Sequence, residues 1–198
     1  MEKLLTANQG KVDLGTVTGL VDDGDVTTAC INIGLKSYQQ GLATSMSLEC
    51  GGFDTHSDND TEQPLRLASL YNYADYILTQ ANAMGLPVVL VMGSDFWRTP
   101  AYTGTGTDHW PVTSMIVITS NAVGGAYDIP GNRVIGASTD GVAALQAMKV
   151  NPNNPTQLDA NGKYMTPADV IMYLRKKAQI DTSPAIANYP VASQVTIT

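Results

Sequence analysis

Residues 62 to 92 constrain the fold of this sequence more than any other stretch. Leu67, Leu70, Ala74, Ile77, Leu78 and Ala81 recur at helical spacing, so Glu62 to Met84 reads as a helix with one apolar face. Gly85 closes it. Pro87-Val88-Val89-Leu90-Val91-Met92 then follows as an unbroken apolar run, the pattern of a strand buried on both faces in a helix-covered parallel sheet.

The rest of the chain alternates in the same way. Val26 to Gln40 suits a helix, with Asp25 as N-cap and Gly41 just past its end. Ala43 to Glu49 alternates like a strand, and Val112 to Thr119 returns to β character. Residues 94–110 read as a long polar loop, 120–141 as turns or a hairpin, and 151–161 as surface loop. Thr166-Pro167-Ala168-Asp169 opens a last helix to about Ala178, with N-cap, N1 proline and an acid at N3. Residues 181–198 are irregular or a single strand. The expectation is one α/β domain over 1–198 with a largely parallel sheet. Its parts are a weakly ordered lead-in (1–25, with a turn at Asp22-Asp23-Gly24-Asp25), the sheet and site loops (26–145), and a loop, late helix and tail (146–198).

Composition narrows the function. Hydrophobic residues make up 43% of the 198 and charged residues 15%, which supplies a core and argues against disorder. Eleven basic residues against eighteen acidic ones leave a net charge of −7, the wrong sign for a nucleic-acid binder. No apolar run approaches the roughly 18 residues of a membrane span, and no signal peptide opens the chain. Cys30 and Cys50 match no zinc spacing; one disulfide and two small buried thiols both remain open.

Both histidines of the sequence lie in the two prominent loops, each close to an aspartate: Asp54-Thr55-His56 and Asp108-His109. Imidazole and carboxylate together suit zinc, manganese or iron, and parallel neighbouring strands would bring both pairs to one sheet edge. Against this stands the reading that the aspartates cap turns and the histidines are ordinary loop residues. The loop Ser94-Asp95-Phe96-Trp97-Arg98-Thr99-Pro100 adds Asp95, a further ligand or an orienting partner, and Arg98, able to clamp a phosphate or sulfate oxygen or to form a structural ion pair. Gly104-Thr105-Gly106-Thr107 is a flexible approach to Asp108 and lacks the lysine of a phosphate-binding loop. Trp97 and Trp110 flank the loop. Gly93-Ser94-Asp95 is not a nucleophile elbow, so a serine esterase built on Ser94 is a third, weaker reading.

These motifs resemble one family. Gly51-Gly52-Phe53-Asp54-Thr55-His56, Ser94-Asp95-Phe96-Trp97-Arg98-Thr99 and Gly106-Thr107-Asp108-His109 look like the ordered motifs of the bacterial domain-of-unknown-function family 1501, which is sulfatase-like and grouped with the alkaline phosphatase superfamily. Gly131-Asn132-Arg133-Val134-Ile135-Gly136-Ala137 and the Thr166-Pro167 helix add to the likeness, which covers roughly residues 26–190. Trp97 stands where the family usually has glycine. The resemblance implies part of a three-layer α/β/α sandwich, the carboxy-terminal portion of the family fold. It implies a metal site from Asp54, His56, Asp108 and His109, with Arg98 and Asp95 in catalytic roles. The implied cofactor is a divalent metal, zinc or manganese rather than magnesium or calcium, since two histidines weigh against harder ions. The implied substrate is a small sulfate or phosphate ester. A missing amino-terminal half or a second copy of the chain is the implied partner, and export to the periplasm the implied location. The alternative is a binding or assembly module that retains the fold without the chemistry.

Overall fold

A computed structural model describes residues 25–110, 114–124, 129, 131, 133–136, 147–178, 180 and 192–197, without the side chains of Trp97 and Pro100. The expectations for 1–24, for most of 125–146 and for most of the tail lie outside the described residues. The elements run α1 (Val26–Gln39), α2 (Asn59–Ala83), β1 (Val89–Gly93), β2 (Trp97–Thr103), β3 (Gly106–Trp110), β4 (Met115–Thr119), β5 (Val150–Asn151), β6 (Asn154–Leu158) and α3 (Pro167–Lys177). The class is mixed α/β. The chain divides into two compact units: residues up to 90 with 102–108 and 119–123, and residues 91–101, 109–118 and 124 onward.

In the first unit, α1 starts where Asp25 caps it. The carboxylate accepts from the backbone N–H of Thr27 (2.6 Å) and of Thr28 (3.1 Å), and so satisfies two amides that the first turn leaves unpaired. Its other oxygen accepts from the Tyr73 hydroxyl of α2 at 2.9 Å. Those bonds, the Thr28 amide first, hold the Asp25 carboxyl below its ordinary pKa, and the same contact raises that of Tyr73. Ile31 and Leu35 of α1 pack with Ile77 and Ala81 of α2 as a buried cluster, flanked by Leu48, Tyr73, Tyr76, Met84, Leu86, Val88 and Leu90. Burying each large apolar side chain contributes about 1.5–3 kcal/mol. Polar ties frame the cluster: Tyr76 to Asn32 (2.8 Å), and the Tyr38 hydroxyl to the Pro87 carbonyl (3.0 Å). Helix α2 begins at Asn59 rather than Glu62, because the amides of Thr61 and Glu62 already reach the Asp58 carbonyl (3.0 and 2.9 Å).

The strands differ most from expectation. Ala43 to Glu49 forms no strand; most of its side chains are exposed, and it pairs with no described strand. Strand β1 buries only one face, with Met92 at 9% exposure but Val89 at 41% and Val91 at 40%. β1 pairs with β4, β2 with β3 and β5 with β6, as three two-stranded sheets. The first is antiparallel: the Ser120 amide bonds the Val88 carbonyl (2.9 Å) at one end, and Gly93 abuts Met115 at the other. The described strands therefore form no parallel sheet, since each pair is antiparallel. The expected polar loop over 94–110 contains a hairpin, with Gly104 at φ 76° as the first residue of its two-residue turn, where a type II′ turn needs glycine.

In the second unit, the asparagine-rich stretch expected as loop is the β5–β6 hairpin. The Asn151 side chain accepts from the Asn153 amide at 2.9 Å and builds the turn itself. Val150 is wholly buried and exchanges backbone bonds with Lys163 (2.8 and 3.0 Å). Helix α3 starts as expected. The Thr166 amide and hydroxyl donate to Asp169 Oδ2 at 2.7 and 2.8 Å. Asp169 is only 1% exposed, and its Oδ1 accepts from the Ser193 hydroxyl (3.0 Å) and the amides of Gln194 (2.7 Å) and Val195 (2.9 Å). The capping residue thus also clasps residues 193–195. Burial pushes its pKa up, but the bonds from Val195, Thr166 and Gln194 outweigh that and hold it below the usual value.

Candidate metal centre

The first histidine motif is shaped from α2. Thr55 is buried; its hydroxyl donates to Asn59 Oδ1 (2.7 Å) and accepts from Gln63 Nε2 (2.8 Å). Gln63 Nε2 also donates to the Phe53 carbonyl at 2.7 Å, so the helix grips the loop at two points. With Thr55 turned inward, its neighbours Asp54 and His56 are both exposed. His56 Nε2 lies 3.0 Å from Asp54 Oδ1. More than half exposed at each end, such a pair contributes only about 0–1 kcal/mol to stability. Its consequence is chemical, since it presents a carboxylate and an imidazole side by side.

The second motif reaches the same place through β3. The Thr107 amide donates to the Thr55 carbonyl (3.4 Å), and its hydroxyl to Asn59 Oδ1 (3.3 Å). The Asn59 amide donates to the Thr105 carbonyl (3.2 Å), and Asn59 Nδ2 to the Tyr102 hydroxyl (3.3 Å), which itself donates to the Asp60 carboxylate. Gly106 lies so close to the His56 backbone that a Cβ there would overlap the His56 carbonyl. The start of the second motif is therefore docked on the first. The parallel strands expected to do this are replaced by a hairpin tip seated on a helix N-terminus. Asp108, His109 and Trp110 are exposed at the end of β3. Strand alternation puts His109 on the Thr107 side of β3 and Asp108 on the other.

Around His109, the Phe96 ring stacks on the imidazole with centroids 4.0 Å apart and planes 19° from parallel. Ser94 donates its hydroxyl to the Phe96 carbonyl (2.7 Å) and to Asp95 Oδ1 (3.4 Å). Asp95 is exposed in the bend between β1 and β2, and Arg98 is half-buried in β2. Cys30 and Cys50 are both free; Cys30 is exposed, so a buried pair is not what they form. Cys50 edges a small cleft with Thr27, Glu49, Phe53, Arg66 and Tyr73, where burial pushes its thiol pKa up. A raised thiol is the opposite of an activated nucleophile.

The reading of single motifs missed Thr55, Thr107, Asn59 and Gln63. One signal was available: a threonine precedes the final residues of both motifs, in Asp-Thr-His and in Thr-Asp-His. Among the described residues, no helix is long and apolar enough to cross a membrane. No family model, no curated protein and no solved structure matches this chain.

Proposed function

We propose that this chain is a metal-dependent hydrolase domain of the sulfatase and alkaline phosphatase type, acting on small sulfate or phosphate esters. One observation carries the reading: Thr55 and Thr107, each inside a histidine motif, are tied to one another and to Asn59. That tie seats the Asp54-His56 pair beside the strand that leads into Asp108 and His109. The donor chemistry fits the group. Asp54 and His56 set a carboxylate and an imidazole side by side, both exposed, and the resemblance assigns His109, exposed at the end of β3, as a second imidazole ligand. One carboxylate and two imidazoles would suit zinc or manganese better than magnesium or calcium. Asp108, also assigned to the metal by the resemblance, adjoins His109 in β3 on the other strand face.

When bound, the ion would supply Lewis acidity and positive charge toward an ester oxygen. The chain's own residues do the rest. The Phe96 ring fixes the plane of the His109 imidazole. Arg98 offers a planar guanidinium to sulfate or phosphate oxygens. Asp95 is assigned as a further ligand or as the carboxylate that orients a histidine. The same reading places these elements in a partial α/β/α sandwich of the family 1501 type, working with the family's amino-terminal portion or with a second copy.

A second reading is favoured by the open apolar face of β1, where Val89 and Val91 are each about two-fifths exposed. It makes the chain a non-catalytic binding or assembly module. Metal content by plasma mass spectrometry separates the two, on the purified chain and on a His56→Ala/His109→Ala double variant. Near-stoichiometric zinc or manganese that the double variant loses supports the hydrolase reading. Absence of metal from both proteins, even after incubation with zinc and manganese, together with a defined oligomer, supports the assembly module.

A further inference from the structure

We infer that Asn59 is the positioning residue of this metal centre, a role that rests on the metal-site reading above. Its side chain is no metal donor in that reading. It stands where both motifs meet, and its carboxamide and backbone amide bond the first motif and the hairpin that carries the second. Oδ1 accepts from Thr55, between Asp54 and His56, and from Thr107, which precedes Asp108 and His109. Nδ2 donates to the Tyr102 hydroxyl on the facing strand of the hairpin, and the backbone amide donates to Thr105 in its turn.

A carboxamide is the side chain this position requires. It accepts two hydroxyl protons on one atom and donates from the other. Aspartate keeps the acceptor and loses the donor; alanine loses both. Groups that hydrogen-bond metal ligands change metal affinity by roughly 10–100-fold when removed, and Asn59 acts at one remove, through Thr55 and Thr107. Asn59 also sits in the first turn of α2, a helix anchored by the Ile31–Ile77 cluster. The clasp is thereby built on a rigid element rather than on another loop.

The test uses the full chain and zinc alone. Zinc affinity is measured by calorimetry for wild type, Asn59→Ala, Asn59→Asp and Ile31→Val. Amide hydrogen exchange at Thr107 and across 53–56 is measured on the metal-free proteins. The expected result for Asn59→Ala is a 10–100-fold loss of zinc affinity with faster exchange at Thr107. Asn59→Asp, which can still hold both threonine hydroxyls, is expected to recover most of both. Ile31→Val destabilises the same unit from its core and is expected to keep zinc affinity.

Three results would overturn the assignment. Asn59→Ala could bind zinc as wild type does. Its Thr107 exchange could be unchanged. Ile31→Val could lose as much zinc affinity, which would make the loss one of general stability. If wild type binds no zinc while Thr107 protection still depends on Asn59, the metal reading itself is what has failed, and Asn59 is a structural clasp with no site to position.

Discussion

The hydroxyls of Thr55 and Thr107 donate to the same oxygen, Asn59 Oδ1, at 2.7 and 3.3 Å. The two residues are 52 positions apart in the chain (107 minus 55), and each lies inside a histidine-bearing motif. Thr55→Val keeps the shape and removes the hydroxyl, leaving Asn59 without its shorter donor and Gln63 without one of its two acceptors. Leaving such groups unpaired costs about 1–3 kcal/mol. Urea denaturation should show that loss, and Thr107→Val, which removes the longer bond, should cost less.

Asp169 gives the chain a pH dependence. Burial raises its pKa, but hydrogen bonds from Val195, Thr166 and Gln194 prevail and lower it below the unfolded value. A carboxylate depressed in the folded state adds stability above its unfolded pKa, and this is lost as pH falls through the folded pKa. Wild type should therefore lose melting temperature on acidification below about pH 4 more steeply than Asp169→Asn. At pH 7 the variant should be less stable by about 1–3 kcal/mol, since amides that reached a charged oxygen now reach an amide oxygen or none. Thermal melts of both proteins across that range check the crossing trend.

The Phe96–His109 stack has a spectroscopic signature. An imidazole 4.0 Å beneath a phenyl ring has its carbon-bound protons shifted upfield. With only two histidines in the sequence, His109 can be assigned by comparison with His56→Ala. Phe96→Ala should move the His109 ring protons downfield and leave those of His56 in place, while Phe96→Tyr should preserve the shift. The stack itself should be worth about 0.5–1.5 kcal/mol beyond the area it buries.

Core and surface positions in the first unit should separate sharply. Ile31 is wholly buried against α2, so Ile31→Ala should cost about 2–5 kcal/mol in unfolding free energy. Val89 belongs to an apolar run of similar character but stands two-fifths exposed, so Val89→Ser should change stability by about 0.5 kcal/mol or less. A large loss at Val89 would mean that this face of β1 is covered in solution, and sedimentation of the same two proteins would show by what stoichiometry.

Local chemistry made some features legible. The cap of α1 at Asp25, the glycines past α1 and α2, and the Thr166-Pro167 start of α3 each depend on residues within a few positions of one another. The apolar face through Ala74, Ile77 and Ala81 was also readable, because a helix sets its own periodicity from its backbone bonds. The two Asp/His motifs could be picked out because only two histidines exist and both sit beside carboxylates.

Strand pairing was another matter. An apolar run such as 87–92 has the same composition whether one face or two are covered; here only one is. Residues 97–103 and 106–110 look like polar loop because Arg98, Pro100, Gly106 and Asp108 break up any apolar run, yet a turn at Gly104 pairs them. Residues 43–49 alternate correctly and find no partner among the described strands. Local contacts specified the described helices, their ends apart from the start of α2, and the kind of donors a metal could meet, because those follow from residues within one or two turns of chain. Folding in three dimensions settled which strands pair, that Asn59 joins the two motifs, and that Asp169 clasps residues 193–195. The Asn59–Thr107 and Asp169–Val195 bonds join residues 48 and 26 positions apart, so no local pattern announces them, whereas β2–β3 and β5–β6 are hairpins between near neighbours whose turn and polar residues read as loop.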